Sequence, residues 1–151
     1  MKQKQSSMTI RKRDPPDNPA LLALWRRSVT ATHEFLTEDD IRDIEPDVRT
    51  TLPALEVWIC ASVDGIPVGF MGLNGSRVEM LFVEPACRGQ GIGVRLLDHA
   101  RLLRGALTLD VNEQNPQAHG FYLRYGFRET GRSATDAAGR LFPLIHMALH
   151  A

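Results

Sequence analysis

The chain has 151 residues, 43% of them apolar and 24% charged, which is the size and composition of one globular domain. Its 18 basic side chains balance 18 acidic ones, so the basic excess typical of nucleic-acid binding is missing. No apolar run reaches the roughly 18–20 residues of a membrane helix, and the polar segment Met1–Ile10 has no apolar centre like that of a signal peptide. Two isolated cysteines, Cys60 and Cys87, indicate neither a disulfide framework nor a zinc site. The composition therefore predicts a cytoplasmic protein with no nucleic-acid, membrane or metal partner.

The first half of the sequence predicts a strand, two helices and a three-stranded meander, after a disordered tail at residues 1–7. Asn18 is the expected cap of the first helix, with Pro19 as its first helical residue, and Thr37 is the expected cap of the second helix. Asp64-Gly65 is typical of a two-residue turn between antiparallel strands. The expected strands are Met8–Arg11, Val57–Val63, Val68–Leu73 and Val78–Val83.

The second half predicts helices that alternate with strands. A helical stripe of apolar residues starts at Ile92 and ends at Gly105, and a further helix is capped by Asn115 and ended by Gly126. The order of elements predicts an α/β fold with a mixed sheet, formed by residues 8–151 as one domain. The expected strands of this half are Ala106–Val111, Phe127–Ser133 and Leu141–Leu149.

A glycine-rich loop, Arg88-Gly89-Gln90-Gly91-Ile92-Gly93-Val94, joins a predicted strand to the start of a helix. A helix N-terminus attracts phosphate because its first N–H groups have no intrahelical partner and its dipole is positive there. The glycine spacing differs from the G-x-G-x-x-G of dinucleotide loops, and the lysine of a P-loop is missing. The alternative is a merely flexible connection, although glycines in a first helical turn cost about 1 kcal/mol each.

This loop resembles the acyl-CoA-binding motif, Arg/Gln-x-x-Gly-x-Gly/Ala, of the GCN5-related N-acetyltransferase (GNAT) superfamily. A second motif of that superfamily is matched by Asn112–Ala118, followed by Phe121–Phe127. The resemblance covers Met8–Leu149 and implies a GNAT-like fold, with a mixed, mostly antiparallel central sheet that is flanked by helices and splayed at the fourth strand. Three segments further resemble the bacterial YjaB-like branch, namely Thr32–Leu36, Val111–Asn115 and Thr130–Ser133.

The resemblance implies an acetyl-CoA-dependent N-acetyltransferase, in which an amine attacks the thioester directly. The N–H group of Leu81 would donate to the thioester oxygen, and Tyr122 would protonate the departing thiolate. Tyr122 could instead only fill the apolar face that it shares with Phe121. The residues implied in cofactor binding are Leu81, Phe82, Val83, Arg88, Gly89, Gln90, Gly91, Ile92, Gly93, Val94, Asn115 and Tyr122.

The acceptor side is less defined by the sequence. Strand alternation places Glu79 on the face of Leu81, where it would take the proton of the amine, unless it is only a surface carboxylate. The resemblance implies His33 and Phe35 in substrate binding, because relatives place acceptor helices in the region of His33–Asp47. His33 could also help with proton transfer, or it could be a core or capping histidine. The many acids of that segment would attract a cationic acceptor, or they form a solvated helix face.

Other classes of function remain open at this stage. A non-catalytic acyl-CoA-binding sensor would keep the glycine loop without needing Tyr122, and a plain interaction domain would need neither. The expected partners are acetyl-CoA and a primary amine of a small molecule or protein, and the expected oligomeric state is a monomer or homodimer. The remaining histidines show no metal-binding pattern; they are His99, His119, His146 and His150.

Overall fold

The computed structural model describes residues 8–151, so the tail predicted at residues 1–7 lies outside the described residues. No helix in residues 8–151 is both long and apolar enough to cross a membrane. The strands are β1 (Thr9–Lys12), β2 (Glu56–Ala61), β3 (Pro67–Asn74), β4 (Arg77–Val83), β5 (Leu107–Asn112), β6 (Arg128–Ser133) and β7 (Leu144–Leu149). The helices longer than one turn are α1 (Asn18–Thr32), α2 (Glu38–Thr51), α3 (Ile92–Arg104) and α4 (Pro116–Tyr125).

All these strands form one mixed sheet in the order β1-β2-β3-β4-β5-β7-β6. Neighbouring strands are antiparallel except β4 and β5, which are parallel and pair only through Arg77↔Thr108 and Val78↔Leu109. Beyond these two pairs the strands separate, although each continues for several residues. The predicted mixed sheet with a splayed fourth strand is confirmed, and the splay leaves a gap between β4 and β5.

Two apolar clusters hold the layers together, one on each face of the sheet. The cluster under α1 and α2 includes Leu24 and Phe70, and the cluster under α3 and α4 includes Leu96 and Phe127. All four side chains are buried. Gly69 in β3 allows the start of α3 to lie close to the sheet, because a Cβ there would be 2.6 Å from Cγ2 of Ile92.

Three of the predicted helix ends are confirmed, two by a capping hydrogen bond and one by its backbone conformation. Thr37 caps α2, since its Oγ1 accepts from the backbone N–H of Asp40 at 3.1 Å. Asn115 caps α4 in the same way, with its Oδ1 accepting from the N–H of Ala118 at 3.2 Å. Gly126 follows α4 with a φ of +127°, a conformation that favours glycine.

The predicted start of α1 is wrong by one residue. Asn18 is the first helical residue, and Asp17 precedes it at the end of a short 3-10 turn. The side chain of Asn18 does not cap the helix, because its Oδ1 accepts from Nη1 of Arg13 at 3.0 Å. A guanidinium five residues earlier in the chain has therefore replaced the backbone N–H group that the residue type indicated as the partner.

The predicted two-residue turn at Asp64-Gly65 is also wrong. The N–H group of Ser62 still donates to the carbonyl of Ile66 at 2.9 Å, so the loop between them has three residues. Gly65 is the last of the three and has a φ of +81°. A left-handed glycine in that position is typical of three-residue hairpin loops.

Candidate active site

A cleft of about 500 Å³ extends along β4 and β5 and between the start of α3 and α4. Its walls are the facing residues of β4 and β5, the first turn of α3, one side of α4 and the end of α1. Among the residues that the sequence put forward for the site, only Phe35 and Gln90 do not line this cleft. The fold therefore brings together segments that are distant in the sequence.

The glycine loop forms the end of the cleft at α3. Gly89 and Gly91 have φ values of +78° and +76°, which glycine adopts without strain. The first helical hydrogen bond runs from the N–H group of Arg95 to the carbonyl of Gly91 at 3.0 Å. The N–H groups of the three residues between them lie at the positive end of the helix, and these residues line the cleft. This geometry fits a pyrophosphate.

Gly93 also allows a close contact between two helices. A Cβ at this position would lie 3.0 Å from Cζ of Phe121, so the first turn of α3 rests directly on the ring of Phe121 in α4. The sequence pattern indicated only a cofactor role for Gly93. The contact shows that a glycine is also needed at position 93 for helix packing, and it positions α4 beside the glycine loop.

We expect Gly91→Val to abolish most of the thermal stabilisation that acetyl-CoA gives the protein. A β-branched residue is strained at a φ of +76° and would cover the helix N-terminus that the pyrophosphate approaches. The measurement is Tm with and without saturating acetyl-CoA. Gly139→Val is the matched control, because Gly139 has a φ of +79° but lies outside the cleft. An equal ligand-induced shift in both variants would contradict binding at this loop.

The strand β4 contains a bulge at Glu79, which has no partner in β3. Because of the bulge, Val78 and Leu81 pack on the same face of the sheet, whereas Met80 packs on the opposite face. The regular alternation that placed Glu79 on the face of Leu81 is therefore interrupted. Both Glu79 and Leu81 nevertheless line the cleft.

Tyr122 lies in α4 with its ring held between two phenylalanines. The centroid of Phe121 is 5.3 Å away and that of Phe127 is 5.6 Å away, both in edge-on contact. Burial raises the pKa of Tyr122 above its usual value, so the phenol stays protonated at neutral pH. Tyr122 lines the cleft, and its hydroxyl makes no hydrogen bond to residues 8–151, which leaves this proton available to a ligand.

His33 is held in one tautomer at the end of α1. The hydroxyl of Thr32 donates to the carbonyl of Ser28 at 2.7 Å, so its oxygen accepts from Nδ1 of His33, also at 2.7 Å. Nε2 then carries the lone pair and lies 3.4 Å from the side-chain nitrogen of Asn115. Burial lowers the pKa of His33 to about 4. His33 is therefore a neutral hydrogen-bonding group at pH 7 and a weak base.

The lowered pKa of His33 predicts a loss of stability in acid. Between pH 6.5 and 4 the unfolded chain takes up a proton at this histidine that the folded chain does not, so stability is complete above pH 6.5 and falls below it. The loss amounts to about 3 kcal/mol at most. Urea unfolding at pH 7 and pH 4.5 measures it, and His33→Gln should flatten the difference. His150→Gln is the control, and parallel losses in both variants would contradict the assignment.

A network of side chains that the sequence analysis did not find crosses four strands beside the cleft. Arg77 donates to Glu79 at 2.7 Å and to Asp110 at 2.6 Å. The other oxygen of Asp110 lies 2.5 Å from Nδ1 of His146, and Nε2 of His146 lies 2.7 Å from Oγ of Ser133. The one hint of this network in the sequence is Asp110, a charged residue between two apolar residues of β5.

Asp110 is the second carboxylate that lines the cleft, together with Glu79. Burial acts to raise the pKa of Asp110, but hydrogen bonds from His146 and Arg77 outweigh it and lower the pKa. Asp110 therefore remains an anion and is a weak base. Because Glu79 and Asp110 share a single arginine, Arg77, one of their two negative charges is not balanced by it, and the arrangement can bind a cation on this side of the gap.

The acids of α2 are mostly engaged in ion pairs and do not line the cleft. Arg26 pairs with Glu38 and, at 2.6 Å, with Glu45. Arg140, in the loop before β7, pairs with two further acids, Asp43 at 3.1 Å and Asp47 at 2.8 Å. These ion pairs favour the second of the two alternatives, in which the acids of α2 form a solvated helix face and do not attract the acceptor.

Phe35 does not line the cleft but lies at its rim, next to His33. Its ring contacts His33, with centroids 5.3 Å apart, and Phe142, with centroids 6.0 Å apart. The connection between α1 and α2 is thus packed against the loop that precedes β7. We retain Phe35 as a candidate for substrate binding only at this rim.

A splayed sheet, a glycine-rich helix start that faces the cleft and a phenol without a protein partner are features expected of an enzyme that transfers an acyl group from coenzyme A. Residues 44–150 match the family model described as an acetyltransferase (GNAT) domain, and the chain belongs to this family. It is an acetyl-CoA-dependent N-acetyltransferase.

Two YjaB proteins support this assignment over nearly the whole chain, and a third protein shares the fold. The peptidyl-lysine N-acetyltransferase YjaB of Salmonella typhimurium is 44% identical over 140 residues, which are 93% of this chain and 97% of that protein. The solution structure of apo YjaB from Escherichia coli has a TM-score of 0.88 at 41% identity, covering 95% and 99% of the two chains. The PaiA N-acetyltransferase of Thermoplasma acidophilum, in complex with coenzyme A, shares the fold with a TM-score of 0.75 at 20% identity, over 95% of this chain and 99% of that chain.

Proposed function

We propose that the acceptor is the side-chain amine of a lysine in a protein, acetylated by direct attack on acetyl-CoA. The observation that carries this proposal is the pair of carboxylates, Glu79 and Asp110, that lines the cleft beside the gap in the sheet. A lysine ammonium is attracted to this anionic end, while the glycine loop at the other end favours phosphate. The names of the YjaB relatives, which are 44% and 42% identical, support a peptidyl-lysine acceptor.

In this proposal the chain holds acetyl-CoA along β4 and at the start of α3. The amides of residues 88–94 would bind the pyrophosphate, and Asn115 would contact the cofactor arm. When bound, acetyl-CoA supplies the activated thioester. The N–H group of Leu81 would donate to the thioester oxygen, where negative charge develops in the transition state. Tyr122 would donate its proton to the departing thiolate. Phe82 and Val83 would line the arm.

The acceptor side has three roles in the proposal. Glu79 would take the proton of the amine, directly or through water, and Asp110 would attract the ammonium as a permanent anion. His33, being neutral, would contact the amine from the end of α1. Phe35 would contact the rest of the substrate at the rim. We also propose that the protein acts in the cytoplasm, because its charged co-substrate does not cross membranes, and that it works as a monomer or homodimer without a metal.

The test is acetyl transfer to a lysine peptide, followed by mass spectrometry of the peptide. The controls are the same peptide with its lysine replaced by norleucine, and a panel of small amines at equal concentration. Transfer to lysine alone supports the proposal. Transfer only to a small amine would overturn the acceptor class and leave the acetyltransferase. If the protein binds acetyl-CoA but transfers its acetyl group to none of these amines, it is the acyl-CoA-binding sensor that the sequence left open.

A further inference from the structure

Two arginines, Arg88 and Arg124, line the phosphate end of the cleft. Neither makes a hydrogen bond or an ion pair with another residue in the described range 8–151. Most other arginines of the fold are paired, including Arg77, which also lies beside the cleft and is shared between two acids. A cation that lines a cleft and has no protein partner is a candidate for an anionic ligand.

Arg124 is brought to this end of the cleft by the packing of α4. Phe121, one helical turn before it, contacts Gly93 in the first turn of α3. The guanidinium of Arg124 lies back along its own helix over Gly120, where a Cβ would be 3.1 Å from its Nη1. Arg124 therefore reaches the same region as the glycine loop but from the opposite wall. Nothing in the glycine-loop motif indicated this residue.

Coenzyme A has two separate phosphate groups, and the glycine loop accounts for the binding of only one of them. Coenzyme A carries a pyrophosphate and, on its ribose, a separate 3′-phosphate monoester with a charge of about −1.5 to −2 at pH 7. The proposed function assigns the loop amides to the pyrophosphate, and the side chain of Arg88 extends from this same loop. We propose that Arg124 binds the 3′-phosphate and thereby makes the enzyme prefer coenzyme A to its dephosphorylated form. This inference rests on the proposed binding of acetyl-CoA at the loop.

Calorimetric titration of coenzyme A and dephospho-coenzyme A into the wild type and Arg124→Gln tests the proposal. A charge-assisted contact predicts that the wild type binds coenzyme A roughly 10- to 100-fold more tightly than the dephosphorylated form. In Arg124→Gln the preference should fall to near one, because only coenzyme A loses affinity. Arg124→Lys should keep part of the preference. Arg128→Gln is the matched control, since Arg128 is an exposed cation outside the cleft.

Each other outcome has a defined meaning. If Arg124→Gln weakens both ligands equally, the guanidinium contacts the pyrophosphate and the proposal is wrong. If neither ligand loses affinity, Arg124 has no role in binding and the proposal is wrong as well. If the wild type binds neither ligand, the assignment of the loop itself fails, and with it this inference. The Tm of each variant without ligand shows whether the fold is intact.

Discussion

Replacement of Tyr122 by phenylalanine should lower kcat by about 10²–10⁴, the range found when a general acid is removed. The ring remains and keeps its contacts with Phe121 and Phe127, so the stability and the Kd for acetyl-CoA should change little. Only the hydroxyl is lost, and it has no partner in residues 8–151. The measurement is steady-state kinetics with a lysine peptide, together with a titration of acetyl-CoA.

Tyr125→Phe is the matched control for this prediction. It makes the same change in the same helix, but the hydroxyl of Tyr125 donates to Asp98 at 2.6 Å and lies outside the cleft. We expect its activity to remain near that of the wild type. Full activity in Tyr122→Phe would contradict the acid role and would leave Tyr122 as a packing residue.

The raised pKa of Tyr122 adds a pH dependence to the same prediction. An ordinary phenol loses its proton near pH 10, whereas burial keeps that of Tyr122 in place at higher pH. Ionisation of this acid should therefore cause no fall in kcat between pH 7 and 10. A fall in this range that disappears in Tyr122→Phe would contradict the raised pKa.

The features that the sequence predicted well depend on local chemistry. Thr37 and Asn115 cap their helices because the groups they satisfy lie three residues away in the chain. The glycine loop was recognisable for the same reason, since its conformation and its free N–H groups come from one continuous segment. The order of helices and strands followed from hydrophobic periodicity, and with the motifs it indicated the fold.

The features that the sequence did not predict depend on contacts between distant segments. Asn18 is an exception, since Arg13, which binds its side chain, lies only five residues earlier in the chain. The bulge at Glu79 is a property of the pairing of β3 with β4, and it cannot be read from β4 alone. His146 appeared as a scattered histidine because Asp110, its partner, is 36 residues away and becomes a neighbour only through the pairing of β5 with β7.

Glu79→Gln should lower kcat/KM for a lysine peptide by about 10²-fold at pH 7. This is the lower end of the range found when a general base is removed. At that pH the lysine amine, with a pKa of about 10.4, carries a proton that must leave before attack. The loss should become smaller towards pH 10, because a growing fraction of the amine then arrives unprotonated. The bulge and the ion pair with Arg77 hold Glu79 beside the cleft, and glutamine keeps nearly the same shape.

Asp110→Asn separates the two carboxylates of the cleft. Because the pKa of Asp110 is lowered, this group is a weak base, and its loss should raise KM for the peptide with little change in kcat at any pH. If instead the pH-dependent loss appears in Asp110→Asn and not in Glu79→Gln, then Asp110 is the base and the assignment of Glu79 is wrong. Equal losses at every pH in Glu79→Gln would leave that residue a positioning role only. The two variants change the same charge at the same cleft, so the pH profile distinguishes proton transfer from attraction of the ammonium.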